Sequence, residues 1–451
     1  MNTLYLPELR EALATGDETE LREFCAALHP ARTAEFMEGL NPHEAWQVLS
    51  FAPLDVRTQI FGYFDKNRQI EIVEQEDRAD IARLIAEMAP DDRVDLVKAI
   101  PDEVANDLLP LIPERIRRDI YRLRAFPEGT AGSVMTTDFA KLSENMTVAE
   151  ALDAIRRQAE DQETIYYLYV VDEGDHLRGL VSARQLLAKM GKLSTPIRDL
   201  METEVIHVNA LDDQEAVAQF VEKYDLLAIP VVDKEHRMVG LITHDDVIDV
   251  FREEAAEDAH RIAAMEPLTE DYLSTRLLTL SYKRGVWLMV LFIGALFTAF
   301  ALGHYEETIS AAELTWLVLF IPLVVSSGGN SGSQSATLVI TALTAGDIVV
   351  SDWLRIVGRE LVMGLLLGGF LGFIGFLAAL FMTPGLLPAL VIPITITLVV
   401  VCGTLCGSML PLLFKQIGWD PALMSNPFVA GIIDILGILI YMNVALAVVG
   451  R

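Results

Sequence analysis

The segment NPFVAGIIDILGILIY, residues 426–441, places one carboxylate, Asp434, in the middle of an apolar run. The run extends over 427–449, and about 20 residues are enough to cross a hydrocarbon core. A carboxylate at that depth costs about 2.5 kcal/mol or more unless it faces a pathway or a cation. No basic residue lies deep enough in an apolar stretch to pair with it. The segment predicts a membrane protein in which Asp434 lines an ion pathway; the alternative is a neutral, hydrogen-bonded Asp434.

Four more apolar stretches precede this segment, which predicts a five-helix transmembrane domain over 284–451. The predicted spans are 285–303, 314–343, 356–382, 386–414 and 427–449. Basic residues occur at alternate ends of the spans: before the first, at the start of the third and after the fourth. They are Lys283, Arg284, Arg355, Arg359 and Lys415. Since cytoplasmic loops carry the excess of Lys and Arg, we expect a cytoplasmic N-terminus and a C-terminus outside.

The second predicted span carries the polar run GGNSGSQSATLVI, residues 328–340. Glycine-rich polar backbone is tolerated at membrane depth only where protein or water covers it, so we expect a broken helix and a hydrated vestibule at Asn330. Close helix packing through small residues is the alternative. Two chains related by a two-fold axis would bring two copies of Asp434 together with Asn330. Carboxylate and amide oxygens suit a hydrated Mg²⁺, and the absence of Cys, Met or His clusters there argues against a soft metal.

The remainder of the chain is acidic. Only 8 of the 64 acidic and 7 of the 35 basic residues lie beyond residue 271, so residues 1–271 carry a net charge of −28. Such a region repels nucleic acid and anionic lipid and attracts cations. The N-terminus has no signal-peptide pattern, and three cysteines without a CxxC form no disulfide framework. We therefore expect an acidic cytoplasmic half joined to the membrane half.

A loose repeat of 11–13 residues runs through 29–124. Its units open at Pro30, Pro42, Pro53, Asp65, Asp77, Pro90, Pro101 and Pro113. Pro and Asp suit the first turn of a helix, so the repeat predicts an all-α superhelical domain over 1–130. Such an array is a scaffold, or its acids, including Asp91 and Asp95, bridge cations to a neighbouring domain.

Two later segments align with each other at an offset of 61: VVDEGDHLRGLVSARQLL (170–187) and VVDKEHRMVGLITHDDVI (231–248). Their β-α-β-β-α pattern resembles a tandem pair of CBS domains, predicted at 135–190 and 200–250, in an α+β fold. The resemblance implies an adenine nucleotide held by a Ser or Thr and an Asp three residues later. Thr243 and Asp246 fit this spacing, whereas Ser182 is followed by Gln185.

Residues 243–265 contain no helix breaker, and they predict a linker helix, within 246–270, that leads to the membrane. Four carboxylates fall on one face: Asp246, Asp249, Glu253 and Glu257. Like charges at these spacings destabilise a helix unless cations lie between them. The stripe predicts a divalent-cation sensor; a solvated acidic face is the alternative.

This domain order, with GGNSGSQSATLVI (328–340) and DPALMSNPFVAGIIDILGILIY (420–441), resembles the MgtE family of magnesium channels. The resemblance implies a homodimeric channel for passive Mg²⁺ influx in a bacterial inner membrane, with Asp434 and Asn330 in the pore and ATP bound by the CBS region. It further implies that cytosolic Mg²⁺ locks the linker, the family's plug helix, against the pore. The positions that match sensor acids are Asp91, Asp95, Glu215, Asp225, Asp246, Asp249, Glu254, Glu257 and Asp420. Thr341 departs from the family pattern, where Arg is expected.

The chain lacks a Walker A sequence, a P-type ATPase phosphorylation motif and HExxH. It is therefore expected to be a transporter and no enzyme. Two other functions are considered: a secondary transporter of another divalent cation such as Co²⁺ or Mn²⁺, and a membrane-anchored nucleotide sensor without ion flux. A mere anchor has no use for an intramembrane acid, so Asp434 favours transport.

Overall fold

The computed structural model describes residues 5–158, 162, 164–268, 272–273, 275–311 and 315–449. The first residue of the predicted second span, the last two of the predicted linker and the ends of the chain lie outside the described residues. The chain divides into two compact units, Met1–Phe251 and Arg252–Arg451. The units are described separately below.

The first unit begins with short helices, and from the third helix onward their starts follow the sequence repeat. They are α1 (Leu6–Thr15), α2 (Glu18–Ala27), α3 (Pro30–Met37), α4 (Pro42–Ser50), α5 (Leu54–Gly62), α6 (Lys66–Gln75), α7 (Arg78–Glu87), α8 (Pro90–Ala99), α9 (Asp102–Leu108) and α10 (Glu114–Arg124). Each of the repeat's Pro and Asp residues is the first residue of a helix or the residue before it. Asp65 and Asp77 cap α6 and α7 by accepting backbone N–H groups, which satisfies donors that a helix start leaves unpaired.

Two small sheets follow, built in the same order. The first contains β1 (Phe139–Ser143), α11 (Val148–Gln158), β2 (Thr164–Val171), β3 (Leu177–Ser182) and α12 (Ala183–Ala188); the second contains β4 (Val208–Asn209), α13 (Gln214–Lys223), β5 (Ala228–Val232), β6 (Met238–Thr243) and α14 (His244–Ile262). In each sheet the central strand pairs parallel with the first strand and antiparallel with the third. The predicted β-α-β-β-α order is confirmed.

One hydrophobic core joins the helices to the second sheet. It includes Leu49, Ile85 and Leu96 from the helices, Ile242 from β6, and Val247 from the first turns of α14. Burial of such side chains contributes about 1.5–3 kcal/mol each. The beginning of α14 is therefore anchored in the core of the first unit, which fixes the positions of the acidic residues in its first turns.

The second unit contains five long helices among its described residues: α15 (Leu277–Ala311), α16 (Ile321–Thr344), α17 (Trp353–Met382), α18 (Leu386–Gln416) and α19 (Asn426–Val448). By length and composition, four segments of the described residues could cross a membrane, 277–305, 350–382, 386–416 and 426–448. The helix α16 is not among them, because the polar run from Ser326 to Ser335 makes it less apolar. Five helices are present, but five spans remain a prediction.

The predicted break in the second span is wrong, because α16 is continuous from Ile321 to Thr344. Its Gly328 and Gly332 are buried against α18, where Gly403 and Gly407 face them. A methyl group on Gly407 would collide with the carbonyl oxygen of Gly332. Small residues one turn apart thus let the two backbones touch, and the helix keeps the main-chain hydrogen bonds that a break would expose.

Candidate functional site

Asp434 lies on α19 beside the backbone of α16. A Cβ atom built on Gly329 would stand 3.6 Å from Asp434 Oδ1 and 3.4 Å from Ala430 Cβ. Asp434 is half-buried, and no described Lys, Arg or His forms an ion pair with it. The two helices therefore meet at a carboxylate whose charge the described side chains do not neutralise. A cation is the partner that such a carboxylate suits.

Asn330, the neighbour of Gly329, is exposed, and its Nδ2 donates to Ser326 Oγ at 3.2 Å. Further along the same two helices, Asn426 at the start of α19 accepts two hydrogen bonds from α16. Ser333 Oγ donates to its carbonyl oxygen and Thr337 Oγ1 to its side-chain oxygen, both at 3.1 Å. Asn426 was not among the predicted site residues.

A second carboxylate inside a predicted span, Glu360 of α17, was also given no role. Its Oε2 accepts a hydrogen bond from Ser335 Oγ of α16 at 2.7 Å, and its carbonyl oxygen accepts one from Thr404 Oγ1 of α18 at 3.1 Å. Ser335 is buried. Glu360 thus ties three helices together, and it holds α16 on the side away from Asn426.

The end of α14 brings three acids and one base together in the second unit. Arg261 forms ion pairs with Glu257, one turn earlier, and with Asp420, which precedes α19. Asp258 Oδ2 accepts a hydrogen bond from Thr344 Oγ1 at 3.4 Å. Burial, and then the nearby Asp420 carboxylate, raise the pKa of Asp258. Glu257 and Asp420 were predicted as sensor acids, whereas Arg261, Asp258 and Thr344 were missed.

Acids of the first unit cluster where α8 faces the start of α14. Partial exclusion of water raises the pKa of Asp92, which Lys66 opposes and the carboxylates of Asp95 and Asp249 reinforce. The pKa of Asp95 is also raised, chiefly by loss of water. The sequence pointed to Asp91 and Asp95; the structure adds Asp92, whose carboxylate the acids at the start of α14 repel.

Glu215 and Asp225 lie at opposite ends of α13. Glu215 is in the first turn, and Asp225 lies two residues beyond the last residue, Lys223, with a left-handed backbone. Ten residues of helix span roughly 15 Å, so these two predicted sensor acids do not share one site within a chain. Glu254, the remaining predicted sensor acid, lies in the part of α14 that belongs to the second unit.

Thr243 and Asp246 bond to each other at the start of α14. Thr243 Oγ1 donates to Asp246 Oδ2 at 2.5 Å, and the Thr243 N–H donates to the same oxygen at 3.3 Å. Burial raises the pKa of Asp246 to about 6, although the bonds from Thr243 oppose the change. In this arrangement the pair closes the helix start, which is the ordinary capping use of these residue types.

A cavity of about 430 Å³ opens at the start of α12, and residues at the start of β5, among them Ala228 and Pro230, also line it. Its walls include Tyr166, Tyr167, Tyr169, Ser182, Arg184 and Gln185. The Tyr169 hydroxyl is buried and has no hydrogen-bond partner among the described residues. Buried hydroxyl groups are normally hydrogen-bonded. The cavity thus combines aromatic faces, a cationic side chain and an unused polar group, which suits a planar, anionic ligand.

Three family models match the chain. The model of MgtE divalent cation transporters matches residues 321–444, that of the MgtE intracellular N domain matches 28–129, and that of CBS domains matches 131–192 and 197–253. The last of these spans both small sheets. The first begins at α16 and ends in α19, so it contains the carboxylate and the small-residue packing described above.

Two similar proteins align with almost the full length of the chain. The magnesium transporter MgtE of Thermus thermophilus is 35% identical over 442 residues, with 97% of each chain covered. That of Enterococcus faecalis is 32% identical over 451 residues, covering 97% of this chain and 95% of the relative.

Two solved structures resemble the N-terminal part of the chain. The soluble part of a magnesium transporter is 32% identical with a TM-score of 0.52, covering 55% of this chain and 98% of that one. The cytosolic domain of the Mg²⁺ channel MgtE in complex with ATP is 34% identical with a TM-score of 0.51, covering 54% and 98%. With relatives matched from end to end and all three family models in order, the chain belongs to the MgtE family of magnesium transporters.

Proposed function

We propose that this chain forms a homodimeric, Mg²⁺-selective channel in a bacterial inner membrane, which carries passive influx down the electrochemical gradient. The observation that carries the proposal is the half-buried Asp434 carboxylate beside Gly329, with no cationic partner among the described side chains. Two such carboxylates at a two-fold axis would attract a divalent ion. Mg²⁺ keeps most of its water and is commonly held by one or two carboxylates. Asn330, at the same level, adds amide groups for those waters.

Five spans, a cytoplasmic N-terminus and a C-terminus outside complete the arrangement. The helix α16 is too polar to cross a membrane on its own. Its buried glycine face against α18 and its hydrogen bonds to α19 give it protein neighbours instead of lipid on those sides. A polar helix that is surrounded by protein and lines a pathway is tolerated at membrane depth.

Cytosolic Mg²⁺ closes this channel through the acidic residues. Burial is the main cause of the raised pKa values of Asp92 and Asp246, and neighbouring carboxylates add to it. A bound divalent cation would offset both effects by stabilising the charged carboxylates. Mg²⁺ bridging α8 and α14 favours the closed position of the linker; its loss leaves the net charge of the cytosolic half to drive the elements apart. Single acid-to-Ala changes then shift the Mg²⁺ dependence modestly, and combined changes leave the channel open at high Mg²⁺.

ATP is the proposed regulatory nucleotide, and the cavity at α12 is its best-formed site. A relative's cytosolic domain is known in complex with ATP. The tyrosines offer stacking surfaces for a base, Arg184 offers charge for phosphates, and the Tyr169 hydroxyl can bond to the ligand. The predicted contact with Thr243 and Asp246 remains a second candidate position for the ribose.

Mg²⁺ flux into vesicles reconstituted with the full-length protein tests the function. Asp434→Ala is expected to abolish flux while the dimer still folds, and Asp434→Asn to be nearly as damaging, because the amide keeps the size and loses the charge. Asp347→Asn, a change in an exposed loop, is the control and keeps flux. Flux of Co²⁺ or Mn²⁺ in preference to Mg²⁺ would favour the transporter alternative. Wild-type flux in Asp434→Ala would refute the pore assignment, and ATP binding without any ion flux would favour the nucleotide sensor.

A further inference from the structure

Arg261 is a basic residue among the acidic residues that are proposed to sense Mg²⁺. It lies in the last turn of α14, where a cation is favourable, and it is partly buried, with 32% of its side chain exposed. It pairs with Glu257 on its own helix and with Asp420 across the second unit. Next to it, Ile262 packs against the hydrophobic core of the long helices. The end of α14 is therefore held by one apolar contact and one charged contact.

Asp420 is built to receive this arginine. Its Oδ1 accepts the backbone N–H of Ala422 at 2.8 Å, which leaves Oδ2 for Arg261. A short turn then leads to Asn426, which accepts hydrogen bonds from Ser333 and Thr337 of α16. Asp420 is thus only six residues from Asn426, where α19, which carries Asp434, is hydrogen-bonded to α16, which carries Gly329. A displacement of Asp420 can therefore move both helices.

Arg261 partly neutralises the acidic cluster at the end of α14. Glu257, Asp258 and Asp420 supply three negative charges around one positive charge, so the cluster without any bound ion is already partly neutralised. A guanidinium group offers several donors in one plane and can hold two carboxylates at once, which an ammonium group does less well. This neutralisation is permanent, whereas that by Mg²⁺ varies with concentration.

We propose that Arg261 is a built-in latch that holds the end of α14 at Asp420 and favours the closed state before any divalent cation binds. Mg²⁺ then completes the closure that the arginine begins. The latch sets the Mg²⁺ concentration at which the channel closes, and it explains how a strongly acidic linker stays near acidic Asp420. This inference rests on the gating part of the proposed function.

Mg²⁺-dependent closure of the full-length protein in vesicles is the first test. Arg261→Gln is expected to raise the Mg²⁺ concentration for half-closure about fivefold or more, which is the lower end of usual coupling between sites. The Mg²⁺ concentration for half-closure of Arg261→Lys should lie between those of the wild type and Arg261→Gln. Arg355→Gln is the matched control, because it removes the same charge from an exposed arginine of α17 that pairs with Asp352 and should leave closure unchanged. Equal closure of the Arg261→Gln and Arg355→Gln proteins overturns the latch.

A cross-link tests the contact without relying on those variants. In a background lacking the natural cysteines, the thiols of Arg261→Cys and Asp420→Cys are joined by a short bifunctional thiosulfonate reagent, which forms a disulfide with each thiol. The joined protein should conduct poorly even without cytosolic Mg²⁺, and reduction of the link should restore flux. Failure of the two cysteines to join, or full flux in the joined protein, overturns the proposal. If the wild type conducts no Mg²⁺ at all, the proposed function fails instead, and the yield of cross-link still reports on the latch.

Discussion

Replacement of Gly407 by Ala examines the contact that places α16 beside Asp434. An added methyl group would meet the carbonyl oxygen and backbone of Gly332, so the neighbour that must move is main chain and not a flexible side chain. Overpacking a tight site costs about 1–3 kcal/mol. Ala in place of Gly in a helix returns about 1 kcal/mol. We therefore expect a net loss of up to about 2 kcal/mol in the free energy of unfolding, together with a displaced α16.

The control is Gly369→Ala on α17, where an added methyl group meets nothing within 4 Å. It gains the same helix propensity without the collision, so it should be neutral or slightly stabilising. Thermal unfolding of the two purified variants in the same detergent measures the difference, and vesicle flux measures the effect on the pathway. A Gly407→Ala protein as stable and as active as Gly369→Ala would show that the backbones of α16 and α18 are not in contact.

Two further predictions concern the cytosolic unit. Because burial raises the pKa of Asp246 to about 6, the folded state binds more protons than the unfolded state between about pH 4 and 6, and stability in the absence of divalent cations falls as pH rises through that window. Asp246→Asn should therefore be more stable than the wild type at pH 7.5 and lose this advantage towards pH 5 in chemical denaturation; a constant difference at all pH values would contradict the assignment. Tyr169→Phe should leave the ligand-free protein as stable as before or more so, since the hydroxyl has no described partner, yet weaken ATP binding in calorimetry. If Thr243→Val weakens ATP binding and Tyr169→Phe does not, the nucleotide lies at the start of α14 instead.

Local signals were sufficient for the helix starts and the paired sheets. Pro and Asp at helix starts act within one turn, so Asp65 and Asp77 could be assigned as caps without knowing what the helices pack against. The offset of 61 between the two CBS segments likewise predicted two sheets of one pattern. These features depend on contacts between residues close in sequence.

Contacts between distant segments were not predictable in the same way. The polar run after Gly328 has the composition of a helix break, and only the facing pair Gly403 and Gly407 turns it into a packing surface. Arg261 and Asp420 are 159 residues apart, so no local pattern joins them. Asp92 was missed for a smaller reason: adjacent residues of a helix differ in direction by about 100°, and one position decides which carboxylate faces α14.

Selection of Mg²⁺ by cavity size requires walls that keep their spacing, since Ca²⁺ and Mg²⁺ carry the same charge and accept the same oxygen ligands. The helix α16 meets this requirement because it is held from several sides. Gly332 packs against α18, Asn426 of α19 accepts a hydrogen bond from a hydroxyl group of α16, and Glu360 of α17 accepts one from Ser335. These contacts come from three different helices, so α16 is held beside Asp434 from several directions. In the proposed channel, a carboxylate alone would attract any divalent ion, and the fixed position of the neighbouring backbone would let the site discriminate by the size of the hydrated ion.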